Sequence, residues 1–225
     1  EVFLPPEQSA LPYTIADKHV SLFQSWSNYI KKQIGRYAKN NQNWKLPPAD
    51  FKKIEEKVLD LDPVKRTPRN LFKHVFKQYA FRFGNGETVL GDHSPITTVF
   101  YKFIGHEFAN DHFIFLIRHP FDVILSYSKM PDNPASDPIE ASKKWNRSIQ
   151  AYDYLKDRDC DILLVKYEEL VTKPKEITEQ ILDHIDLEQQ DIVEPPKEAE
   201  NTDPLGATDL EHHKKLYQPV DAKSV

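Results

Sequence analysis

Apolar positions along this chain follow two rhythms. Four short runs, at 2–4, 88–90, 113–117 and 162–166, are nearly continuous in Val, Ile, Leu and Phe, as strands buried on both faces are. Between them the spacing becomes helical: Val20, Phe23, Trp26, Ile30 and Ile34 recur on one side of 18–38. The same reasoning predicts helices over 51–61, 68–80, 96–108, 139–156 and 175–185, the last entered through Thr172-Lys173-Pro174. Strands alternating with helices predict an α/β fold, three layers deep, with a parallel sheet. The helices between the first two strands form a long insertion.

Polar punctuation sets the boundaries. Asp62-Pro63 ends one helix, and the Pro/Asp/Asn-rich stretch 131–138 reads as a mobile surface loop. Periodicity fades after Asp186, where EPPKEAENTDPLG has the composition of an exposed linker or lid. The expected organisation is one α/β domain over 1–190, with 191–225 as an exposed C-terminal segment of it.

Composition narrows the field. At 225 residues and 39% hydrophobic, the chain can bury one sizeable core. No apolar run approaches the roughly 18 residues of a membrane span. A net charge of −5 argues against bulk nucleic-acid binding, so an anionic ligand needs a local cluster of cations. Cys160 is the single cysteine, which excludes an intrachain disulfide and fits a reducing, cytoplasmic setting. Residue 1 is Glu and the sole methionine is Met130, which reads as an N-terminally truncated domain.

Candidate chemistry concentrates in FIFLIRHPFDVILSYSKM, residues 113–130. A strand delivers Arg118 at its C-terminal tip, Pro120 opens a helix, and Asp122 and Ser126 share a face of that helix. Strand ends followed by helix starts hold phosphates in α/β proteins. An arginine fork and a serine hydroxyl suit phosphate oxygens. Taken singly, either residue is better read as a salt-bridged arginine or a surface serine; the ordered string is harder to dismiss.

That string, Arg118-His119-Pro120-Phe121-Asp122-Val123-Ile124-Leu125-Ser126, resembles the 3′-phosphate-binding segment of sulfotransferases that use 3′-phosphoadenylyl sulfate (PAPS). Gly91-Asp92-His93-Ser94-Pro95 is similar to the family's G-[DE]-[KR]-[ST]-P turn. Leu164-Val165-Lys166-Tyr167-Glu168-Glu169-Leu170 with Pro174 resembles its V-x-Y-E-[DE]-L-x-x-x-P segment. The terminal Ser224-Val225 resembles the start of its S-V-G-x-W sequence. The resemblance covers roughly residues 85–185 and looks bacterial or Golgi-type. It implies a P-loop NTPase-like sulfotransferase fold, with Arg118 and Ser126 holding the 3′-phosphate of PAPS, PAP as product, and no metal in the transfer.

The family's P-[KR]-S-G-T-[ST] loop, which grips the 5′-phosphosulfate, matches nothing in the chain. Gly86 to Gly91 has phosphate-loop glycine spacing, but Asp92 stands where a lysine belongs and the interior reads as a strand. The resemblance implies that the loop lies upstream of Glu1. For the base that deprotonates the acceptor, His93 corresponds to an H-x-P histidine of cytosolic members, and Glu7 to a glutamate of bacterial and Golgi-type members. Against His93 stands a plain hydrogen-bonded turn residue.

Other features read as structural. Tyr167 and Glu168 buttress the sheet edge, Trp145 with Ile149 and Tyr152 forms a packing stripe, and His212-His213 is a solvated pair. Lys65, Arg66 and Arg69 form a solvated basic face. The function implied is sulfuryl transfer to a hydroxyl, less readily an amine, of a small molecule, glycan or peptide. A non-catalytic nucleotide-binding module and a kinase-type P-loop transferase are the rivals. The oligomeric state is not legible.

Overall fold

The structure is a computed structural model that describes residues 2–3, 13–16, 25–39, 45–84, 89–130 and 133–188. Two compact units divide the chain: residues 1–110 with 153–159, and residues 111–152 with 160–225.

The first unit is built on three amphipathic helices. Helix α1 (Trp26–Lys39) buries Tyr29, Ile30, Gln33, Ile34 and Tyr37. Helix α2 (Pro48–Leu59) buries Phe51, Ile54 and Val58, and α3 (Pro68–Phe83) buries Leu71, Phe72, Val75, Phe76 and Tyr79. Those spacings of three and four put each set on one stripe. The stripes meet, α1 on α2 and α2 on α3. The Trp26 indole N–H donates to the Val58 carbonyl at 3.0 Å, fastening the start of α1 to the last turn of α2.

Helix boundaries follow local chemistry. Helix α2 starts at Pro48, earlier than the predicted 51, because proline in a first turn sacrifices no hydrogen bond. Helix α3 starts at Pro68 as predicted, capped by the Thr67 hydroxyl accepting from the Asn70 N–H at 3.2 Å, and runs on to Phe83. Buried Asp50 on α2 accepts from Arg82 Nε on α3. This pairing, ahead of the opposing effect of burial, holds the Asp50 carboxyl below its usual range.

The predicted helix 96–108 is instead two pieces, a 3-10 helix at Pro95–Val99 and helix α4 (Tyr101–Glu107). The break follows the β-branched run Thr97-Thr98-Val99, which resists helical packing. The Thr97 hydroxyl also bonds back to the Ser94 carbonyl at 2.6 Å.

Strand β1 (Val2–Phe3) pairs parallel with β2 (Val89–Leu90) in this unit. The remainder of the predicted runs 2–4 and 88–90 lies outside the described residues, as do all of 18–24 and 191–225.

The second unit carries the predicted strands residue for residue. Strand β3 (Phe113–Ile117) lies parallel to β4 (Ile162–Lys166), with Phe113 opposite Ile162 and Ile117 opposite Lys166. Helix α5 (Pro120–Ser128) follows β3, and α6 (Pro138–Lys156) leads back toward β4. Helices α7 (Tyr167–Thr172) and α8 (Pro174–His184) follow β4 directly. Helix α7 was not foreseen; its Glu168 and Glu169 in the first turn suit a helix N-terminus.

Two expectations need correcting. Strand β3 is not buried on both faces: Ile114 is 44% and Leu116 55% exposed, while their neighbours turn inward. Among the described residues β3 has β4 as its one strand neighbour. The described part of 131–138 is a capped 3-10 turn, Pro134–Ser136, rather than a loose loop. The Asn133 side chain accepts from the Ala135 N–H at 2.9 Å, and Ala135 is buried. Asp137 then caps α6, accepting from the Ile139 N–H at 2.9 Å and the Glu140 N–H at 3.1 Å.

Candidate functional site

Arg118 leaves β3 one residue past its end and is held there from three directions. The Tyr167 ring, opening α7, lies under its guanidinium, with Cζ 4.8 Å from the ring centroid. The Trp145 indole N–H from α6 donates to the Arg118 carbonyl at 2.9 Å. The next residue, His119, donates its backbone N–H to Glu168 Oε1 at 2.8 Å. A carboxylate thus caps the turn into α5, where the His119 side chain makes no cap of its own.

The charge of the arginine remains available. Among the described residues no carboxylate oxygen lies within 4 Å of its guanidinium, and Arg118 is exposed. Glu168, the nearest acid in sequence to its Tyr167 support, is committed to a backbone N–H. Stacking fixes the plane of the fork without neutralising it, as a binding site for a doubly charged anion requires. Pro120 sits at the start of α5, whose first turn adds the positive end of its dipole. Ser126, half-buried, lies in the body of α5 on the face of Asp122.

At the end of β4, Lys166 Nζ donates to Glu169 Oε1 at 2.9 Å, and this bond raises the Lys166 pKa above its ordinary value. Tyr167 and Glu168, expected to buttress the sheet edge, do so by stacking and capping. Trp145, expected as packing alone, is also a donor to the Arg118 backbone. Nothing in the pattern of residues 138–156 signalled that bond, since its acceptor lies on another element.

The Gly91–Pro95 turn belongs to the first unit. Asp92 organises it, with Oδ1 accepting from the Ser94 hydroxyl at 3.0 Å and Oδ2 from the Ser94 N–H at 3.3 Å. Ser94 is buried and His93 projects between them, exposed. Glu7 lies outside the described residues. The structure therefore brings together the neighbours of Arg118, while His93 stands in the other unit.

The expected solvated face at 65–69 is tied into local structure. Lys65 Nζ lies 3.9 Å from Asp62, Arg66 Nε donates to the Leu61 carbonyl at 2.9 Å, and the Arg69 N–H meets Glu107 at 2.9 Å. His212 and His213 lie outside the described residues. Among the described residues no helix is long and apolar enough to cross a membrane.

Comparison with known proteins decides the family. Residues 13–191 match the profile of the Sulfotransferase family, well over half of the chain. The chain belongs to the sulfotransferase family. Two solved structures share its fold. The sulfotransferase domain from the curacin biosynthetic pathway superposes with a TM-score of 0.52 at 18% identity, covering 83% of this chain and 65% of that one. The sulfotransferase domain of the Synechococcus PCC 7002 olefin synthase gives 0.51 at 24% identity, covering 83% and 64%. The chain spans about 65% of the length of these sulfotransferase domains. No curated protein matches its sequence. The α/β fold with parallel strands is thus that of sulfotransferase domains.

Proposed function

We propose that the protein transfers a sulfuryl group from PAPS to a hydroxyl, less readily an amine, of a small molecule, glycan or peptide. The carrying observation is the Arg118 guanidinium, stacked on Tyr167 and without a carboxylate partner among the described residues, at the C-terminal end of a parallel strand pair. Arg118 and Ser126 suit the 3′-phosphate of the nucleotide, one as a charged fork and one as a hydroxyl donor. In the transfer, the acceptor oxygen forms a bond to sulfur as the bond from sulfur to the bridging phosphate oxygen breaks. PAP departs, and a base takes the acceptor proton. His93, exposed on its Asp92-braced turn, and Glu7 are the candidates for that base. The reading gives no role to a metal in this step.

The second reading is a nucleotide-binding module without catalysis.

Titration calorimetry with PAP and with adenosine 5′-phosphate tests the donor assignment. Preference for PAP that collapses in Arg118→Ala supports it; equal affinity for both nucleotides overturns it. Turnover of PAPS by the protein carrying its upstream sequence separates the enzyme from the module.

A further inference from the structure

At the opposite end of the β3–β4 pair, three residues remote in sequence converge. His112 immediately precedes β3, Asp161 immediately precedes β4, and His184 closes α8. One ligand atom from each lies within 4.8 Å of the others. His112 Nδ1 is 2.6 Å from Asp161 Oδ2, and His184 Nδ1 is 3.6 Å from Asp161 Oδ1. Asp186, in the left-handed conformation just beyond α8 (φ 55°), brings Oδ2 to 3.7 Å from His112 Nε2.

The tautomer of His184 makes the arrangement informative. Its Nε2 lies 3.1 Å from the Phe113 carbonyl, which can only accept, so Nε2 carries the hydrogen. In the neutral ring, Nδ1 then presents a lone pair to the Asp161 carboxylate. Two electron-rich atoms facing each other need a cation between them, either a proton or a metal ion. A histidine whose far nitrogen donates to a backbone carbonyl, while its near nitrogen faces shared ligand space, has the outer-sphere support of a metal ligand. The His112 and His184 rings meet edge to face at 5.5 Å, and one ligand atom of each lies within 4.8 Å of the other and of Asp161.

We infer that His112, Asp161 and His184 form a divalent transition-metal site of the zinc type. Two imidazoles and a carboxylate suit Zn²⁺, with water completing the tetrahedron, whereas Mg²⁺ and Ca²⁺ demand oxygen ligands. The site lies apart from the Arg118 end. Strand β3 separates it from Arg118 by roughly 3.3 Å per residue, far beyond reach of the phosphate chemistry. Its effect is to pin two strand starts to the end of α8. The two strand starts are already tied to each other by the Phe113 N–H donating to the Asp161 carbonyl at 2.7 Å, and to α8 by His184 Nε2 on the Phe113 carbonyl.

The experiment is titration of untagged, chelator-treated protein with Co²⁺, followed by visible absorption, and with Zn²⁺, followed by calorimetry and thermal unfolding. Stoichiometric binding with a d–d band, and an unfolding temperature that climbs with the logarithm of Zn²⁺ concentration, is the expected result. His112→Ala and His184→Ala should each weaken binding at least about 100-fold, because losing a ligand outweighs the roughly 10–100-fold attached to its outer partner. Asp161→Asn, which preserves shape, should do likewise if either alanine variant fails to fold. Binding must survive in His212→Ala/His213→Ala. No band and no heat in the unaltered protein overturns the inference, as does binding that persists in Asp161→Asn or vanishes with the 212/213 pair.

Discussion

The two ends of the β3–β4 pair are built on the same strands and in opposite ways. At the C-terminal end one contiguous segment carries the residues proposed to hold the nucleotide: Arg118, Pro120 and Ser126 follow one another, and other elements steady the start of that segment. At the N-terminal end three elements contribute one residue each, and none of His112, Asp161 and His184 has a neighbour in sequence that completes its role. The difference is one of loading. On the proposed function the first end meets a ligand through an exposed side chain stacked on Tyr167, whereas the second ties elements to each other.

The substitution expected to matter most strikes α8, the helix that ends in His184. Ile177, buried on α8, anchors that helix; Ile177→Ala should cost about 2–4 kcal/mol by leaving a cavity, read by urea unfolding. If nucleotide binding and metal binding weaken together there, the two ends are coupled through α8. Arg118→Ala should weaken PAP binding by about 1.5–3 kcal/mol, the range for a hydrogen bond to a charged group, while leaving the unfolding midpoint within about 0.5 kcal/mol. A matching loss of stability would make Arg118 a structural residue and erase the contrast between the ends.

A subtler probe is Trp145→Phe, which removes the donor to the Arg118 carbonyl and keeps most of the ring. A loss of about 1 kcal/mol in stability is expected, with a smaller loss in PAP affinity than Arg118→Ala causes. The reverse ranking would mean that backbone placement, not the guanidinium, governs binding.

The smallest effect serves as a control away from both ends. Asp50 is held below its ordinary pKa of 3.8 by Arg82. A depressed folded pKa adds stability that is present above the unfolded value and lost as pH falls through the folded one. The α2–α3 tie should therefore weaken below about pH 3.8, and Arg82→Met should flatten that acid limb in thermal unfolding between pH 5 and 2. Neither end of the strand pair should respond to that variant.

What could be read in advance divides along the same line. Strands β3 and β4 were legible to the residue, because their apolar runs begin directly after His112 and Asp161 and stop at Arg118 and Lys166. The strand, turn and helix around Arg118 were legible because their order along the chain is their order in space. The break between Pro95–Val99 and α4 was not, since apolar spacing continues through it and β-branched crowding decides the outcome. The Trp145 bond to the Arg118 carbonyl and the meeting of His112 with His184 were illegible for a simpler reason. They depend on strand register and on where α6 and α8 end, quantities that no local pattern encodes.

The uncovered face of β3 has a practical consequence. Ile114 and Leu116 stand in solvent beside a strand with no Pro, no Gly and no charge between Phe113 and Ile117, and Phe121 and Leu125 extend the apolar surface onto α5. Such segments template intermolecular β-pairing. Purified at high concentration, this chain should self-associate in a concentration-dependent way, and a single lysine at Leu116 should improve its colloidal behaviour more than any change to its surface charge elsewhere.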